Sequence, residues 1–115
     1  MKSIPIEQRN ALLISISIEA ILKYGPDYYR DYQQPVIINN KYPSADQFND
    51  NRFIAWAERY YYDIIFLYDK TEETLECEYA AKIRIWADTG HLHSASFGNG
   101  YGRLIPRRAW IGVTI

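Results

Sequence analysis

The sequence predicts an α+β domain, with an N-terminal helix packed on a mostly antiparallel sheet that has a long central hairpin. Three observations carry this. From Thr74 to Trp86 the chain reads TLECEYAAKIRIW, with Leu75, Cys77, Tyr79, Ala81, Ile83 and Ile85 alternating against Glu76, Glu78, Lys82 and Arg84. Period-two alternation puts one apolar and one charged face on a strand. The run Tyr60 to Tyr68, YYYDIIFLY, is aromatic and β-branched, and the polar stretch Asp69 to Glu73 joins it to the first run as a hairpin. The first 25 residues carry helical spacing and helix-end signals.

Taking the elements in order, Ser3, Pro5 and Glu7 mark a helix start, and Gly25-Pro26 marks its end. Leu13, Ile14, Ile18, Ile21 and Leu22 recur at helical spacing between them. A strand-like alternation through Leu12, Ile14, Ile16 and Ile18 competes, but the segment's length and its end signals favour a helix. Residues 25–44 are irregular and hold three prolines and the Tyr28-Tyr29 pair. Val36-Ile37-Ile38 is a short strand before an Asn39-Asn40 turn. A loop this long is an interaction arm or a surface loop laid on the core. Asp50 caps a short helix with Phe53, Trp56, Ala57 and Tyr60 on one side. In the 60–68 strand, either Ile64 and Phe66 or Ile65 and Leu67 face the core. Ala87 to Gly90 is a turn, and His91 to Phe97 is a short strand. Gly98 to Gly102 is the most flexible run. The apolar tail Trp110 to Ile115 closes the sheet as a terminal strand. No repeat or linker divides the 115 residues, so one domain is expected.

Composition narrows the function classes. Thirteen basic against fourteen acidic side chains argue against a dedicated nucleic-acid binder. The apolar run Ala11 to Leu22 is too short and too polar to span a bilayer. The N-terminus lacks a signal-peptide pattern, so the chain reads as soluble and made in the cytosol. Cys77 is the only cysteine and sits on the apolar face as a core filler, so no intramolecular disulfide forms. Eleven tyrosines and three tryptophans suit either a protein interface or a β-rich core.

Few constellations point to chemistry. His91 and His93, spaced i and i+2 with Asp88 nearby, offer an incomplete metal set. Gly98 to Gly102 lacks the lysine and the following helix of a phosphate loop. Ser94 and Ser96 lie near His93 without an orienting acid. Asp63 stands alone in an apolar strand. Arg103, Arg107 and Arg108 form a basic group that complements Glu72, Glu73, Glu76 and Glu78 on a second copy. Association between unlike patches builds rings or filaments. Reversing Glu76 and Glu78 is then expected to disperse the assembly. Pro106 bends the chain so that Arg107 and Arg108 reach a rim. The expected interface comprises Glu76, Glu78, Lys82, Arg84, Arg103, Arg107, Arg108 and Trp110, with Tyr28 and Tyr29 on the loop.

Tyr79-Ala80-Ala81, Gly90 and the run Ile105-Pro106-Arg107-Arg108-Ala109-Trp110-Ile111-Gly112 follow in order. With Asp88-Thr89-Gly90, Leu92 and Ser94, they resemble the C-terminal part of the tailed-phage virion morphogenesis (tail completion, head–tail joining) family. The resemblance covers residues 79–112. It implies a non-enzymatic virion part without a cofactor, forming a ring at the head–tail junction or tail end and docking on other virion proteins. Two alternatives stand beside it. One is a small phage- or mobile-element-encoded inhibitor that binds a host protein through the tyrosine-rich loop. The other is a metal-dependent hydrolase using His91, His93 and Asp88.

Overall fold

The computed structural model describes residues 4–105. Helix α1 (Ile6–Tyr24) leads into five strands: β1 (Val36–Lys41), β2 (Tyr60–Phe66), β3 (Ala81–Trp86), β4 (Leu92–Phe97) and β5 (Tyr101–Leu104). The strands form one antiparallel meander in chain order. The α+β arrangement is the expected one. No helix among the described residues is long and apolar enough to cross a membrane. Ser3, Arg107, Arg108, Trp110 and the expected terminal strand lie outside the described residues.

Pro5 begins α1 without a side-chain cap, and Gly25 ends it by donating its N–H to the Ile21 carbonyl at 2.8 Å. The glycine is required by crowding. A Cβ there would stand 2.6 Å from Cε1 of Phe97. The buried stripe is Leu13, Ile16, Ser17, Ala20 and Ile21, while Leu22 is exposed and Ile14 and Ile18 are half-buried. The helix is therefore rotated from the expected face. Small Ser17 and Ala20 let it approach the sheet closely. The Ser17 hydroxyl satisfies itself on the Leu13 carbonyl at 2.7 Å.

The central hairpin is shorter than expected. β2 and β3 pair only from Tyr61↔Trp86 to Phe66↔Ala81, and residues 74–80 leave the ladder. The alternation there survives: Leu75, Cys77 and Tyr79 are half-buried while Glu76 and Glu78 are exposed. Two things pull the segment aside. Asp69 folds residues 69–73 into a turn, accepting from the N–H and hydroxyl of Thr71, so no partner strand faces residues 74–80. The Tyr68 hydroxyl accepts from the Leu75 N–H and donates to the Cys77 carbonyl, occupying groups a ladder would use. The Cys77 N–H donates instead to the Gly98 carbonyl at 2.7 Å.

Other expectations change too. Asn39-Asn40 continues β1 rather than turning it. Gly98 to Gly100 forms the tight β4–β5 turn, with Gly100 at φ 81°, and Tyr101 and Gly102 belong to β5. Asp50 does cap a 3-10 turn (Asn51–Trp56), accepting from the Arg52 N–H at 2.9 Å.

The open choice in β2 is resolved: Ile64 and Phe66 are buried toward α1, with Ile83, Ile85, Ala95 and Phe97 on the neighbouring strands. Cross-strand partners share a face. Asp63, paired with Arg84, and Tyr61, paired with Trp86, therefore point to the side away from the helix.

Candidate functional site

The face away from α1 is covered by the β1–β2 connection, residues 42–59. Its ends are closed by the Tyr42 N–H donating to the Arg59 carbonyl and the Glu58 N–H donating to the Pro43 carbonyl. Beneath it lies a polar chain set among aromatic rings. Nε and Nη2 of Arg84 donate to the two carboxylate oxygens of Asp63 at 2.7 and 2.9 Å. Nη1 of the same guanidinium donates to the Tyr42 hydroxyl at 2.9 Å. That hydroxyl lies 3.0 Å from Nε2 of His93. The Arg84 guanidinium also stacks over the Tyr61 ring at 4.0 Å. Tyr42, Trp56 and Trp86 enclose the imidazole.

The hydrogen-bond network assigns the His93 tautomer. The Tyr42 oxygen already accepts from Arg84, so its own proton is best placed on Nε2, leaving the imidazole proton on Nδ1. Nδ1 is buried and has no hydrogen-bond partner among the described residues. Burial first, and the Arg84 charge second, depress this imidazole from 6.5 to about 4, so it is neutral at pH 7. Burial likewise raises the Tyr42 phenol, against the opposing pull of Arg84. Burial alone would lower the Arg84 guanidinium. The bonds to Asp63 and Tyr42 outweigh it, and the group is raised. None of these groups is poised to exchange a proton near neutrality. The network fastens the 42–59 cap to the sheet.

A β-bulge makes this possible. Arg84 pairs with Ser94 but Ile85 pairs with Leu92, so His93 is an extra residue on β4. Bulges re-aim a side chain. Here Leu92 stays in the helix-side core while His93 turns to the cap.

Beside this cluster a pocket of about 490 Å³ is lined by Asn39, Glu58, Arg59, Tyr60, Tyr62 and Asp88, among others. The Arg59 guanidinium donates twice to Asp88, at 3.2 and 2.9 Å, and lies 3.7 Å from the centre of the Trp86 ring. Partial burial would raise the Asp88 carboxyl. Arg59 outweighs that, and the group is lowered. Glu58 holds a left-handed backbone at φ 60°, uncommon for a residue with a side chain.

His91, His93 and Asp88, the set of the hydrolase alternative, are not assembled into a metal site among the described residues. Among the described residues no three His, Cys, Asp or Glu side chains are placed to hold a metal. His93 is caged in rings, and Asp88 is paired with Arg59. Tyr28 and Tyr29 do not stand free on an arm: their rings lie 5.3 Å from Phe97 and 6.3 Å from Phe66. Arg84 is drawn inward by Asp63. In the acidic group, Glu73 pairs with Arg30 and Glu78 with Lys70, while Glu72 and Glu76 remain exposed. Lys82 lies over the Tyr79 ring and Arg103 over the Tyr24 ring. Sequence reasoning missed Tyr42, Trp56, Glu58 and Arg59. One signal was present: Asp63 and Arg84 are opposite charges at positions that face each other once the hairpin is formed.

Among the described residues, nothing pairs with the outer edge of β1 or of β5. Both carry exposed apolar side chains: Val36 and Ile38 on β1, Tyr101 and Leu104 on β5. No family model matches the chain, and no curated protein or solved structure matches it either.

Proposed function

We propose that the chain is a non-enzymatic structural subunit of a tailed-phage virion, working by ring assembly at the head–tail junction or tail end and by docking on other virion proteins. The resemblance of residues 79–112 to the virion morphogenesis family supports this reading. The observation that carries it is a pair of unlike edges at opposite ends of one sheet, both open among the described residues. An uncovered edge with apolar side chains is a template for another chain. Two unlike edges join head to tail, and head-to-tail contacts close into rings when the rotation allows. In this reading the subunit is assembled in the host cytoplasm and resides in the virion.

Light scattering on the purified full-length chain tests this. A discrete multimer is the expected result. A monomer at every concentration examined, alone and with the other neck and tail proteins of its phage, would refute it.

A further inference from the structure

We propose that β5 of one copy adds in parallel to the outer edge of β1 of the next copy, with the Arg103 guanidinium meeting the Glu58 carboxylate across the junction. This rests on the assembly reading above and names its interface. Strand parity sets the direction. In a five-stranded antiparallel meander β1 and β5 run the same way. Copies related by rotation about an axis along the strands keep their helices on one surface and bring β5 alongside β1 in parallel. Antiparallel joining of the same edges would turn every second copy over.

The side chains match in this arrangement. Tyr101 and Arg103 pair with Phe97 and Ala95, so both point to the helix side. On β1, Ile37 and Asn39 pair with Ile64 and Tyr62 and share that side. A register with Arg103 beside Asn39 sets Tyr101 beside Ile37 and Gly102 beside Ile38. The missing side chain at Gly102 leaves room for Ile38, and Leu104 then borders it on the cap side.

The charges match as well. Asn39 and Glu58 line the same pocket, so a guanidinium set beside Asn39 stands at the rim of the pocket that Glu58 also lines. Glu58 and Arg103 make no ion pair among the described residues. The other charges of the pocket, Arg59 and Asp88, neutralise each other; Arg103 lies over the Tyr24 ring of its own chain, a contact that the junction would exchange for Glu58. Within the acidic group at residues 72–78, Glu73 and Glu78 are already neutralised within their own chain. Glu72 and Glu76 remain exposed, but they do not line the pocket beside Asn39, so in this register Glu58 is the partner for Arg103.

The experiment is native mass spectrometry of the full chain and its variants, with circular dichroism as the check on folding. Arg103→Glu and Glu58→Arg should each reduce the multimer to smaller species, and the double reversal should restore it. Ile38→Lys and Leu104→Lys should each give monomers. Mixing those two should give a heterodimer and nothing larger, because one intact β1 edge and one intact β5 edge remain. Val36→Lys gives a second reading of the β1 edge if Ile38→Lys does not fold. Reversal of Glu76 and Glu78 should leave the mass unchanged. A wild-type multimer that survives all the edge variants would overturn the junction and leave the assembly reading standing. A Leu104→Lys dimer beside an Ile38→Lys monomer would replace the junction with a two-fold β1–β1 contact. A wild type that stays monomeric both alone and with the other neck and tail proteins would remove both proposals.

Discussion

The two faces of the sheet are buried by different means. The face under α1 is almost wholly apolar: Ile64, Ile83, Ile85 and Phe97 meet Leu13, Ile16 and Ile21, and the buried Ser17 hydroxyl bonds within its own helix. The face under the 42–59 cap is held by Asp63, Arg84, Tyr42 and His93 among aromatic rings. An apolar layer loses stability in proportion to what is removed. A buried polar network fails as a unit, because each deletion strands a partner. The helix-side layer thus sets how stable the domain is, and the cap-side network sets whether the cap stays in one place.

The comparison can be broken most strongly at the ion pair. Asp63→Ala leaves the Arg84 guanidinium, only 22% exposed, without its carboxylate, and should cost about 3–5 kcal/mol in denaturant unfolding. Ile83→Ala on the opposite face should cost a similar amount, about 2–5 kcal/mol, through a cavity. Pairing the two faces separates the mechanisms. Asp63→Leu with Arg84→Met should recover most of the loss from Asp63→Ala, whereas no second change near Ile83 repairs a cavity by removing atoms. A double variant as unstable as the sum of its singles would show that the pair is uncoupled.

Acid offers the next test. His93 is depressed in the fold, so the unfolded chain takes its proton first as pH falls. Its contribution is intact above about 6.5 and is lost as pH drops toward about 4. The span corresponds to roughly 3 kcal/mol. His93→Gln should flatten the stability profile within that window. An unchanged slope would mean that the imidazole does not report on the cap. A smaller effect is expected at Glu58, where glycine relieves the left-handed backbone: Glu58→Gly should stabilise by roughly 0.5–1 kcal/mol. Least of all, Glu78→Ala should leave the melting temperature unmoved, because its pair with Lys70 lies in solvent.

What the sequence disclosed follows the range of its signals. Period-two alternation in Ala81 to Trp86 reports a local geometry, and the apolar positions did turn inward. The helix was legible from its ends, but not its rotation. Leu22 and Ile14 look more hydrophobic than Ser17 and Ala20, and only close approach to the sheet explains why the small residues are inside. Residues 74–80 kept their alternation without a partner strand, because alternation records one buried side and says nothing of hydrogen bonding. The cap-side cluster was not legible. Tyr42, Trp56, Trp86 and His93 are far apart in the chain and meet only after the hairpin register, the β4 bulge and the 42–59 connection are all in place.

That bulge has a consequence for how the chain tolerates length change. Because Leu92 already faces Ile85 and Ser94 already faces Arg84, excising His93 would close the gap against β3 with those pairs matched as before, while on the other side the Ile105 N–H would lose the His93 carbonyl. A chain shorter by this one residue keeps the third and fourth strands in register on the greasy side while its lid loses its foothold on the fourth strand. The extra residue is thus a detachable peg: the architecture can be inherited without it, and whatever depends on a seated lid cannot.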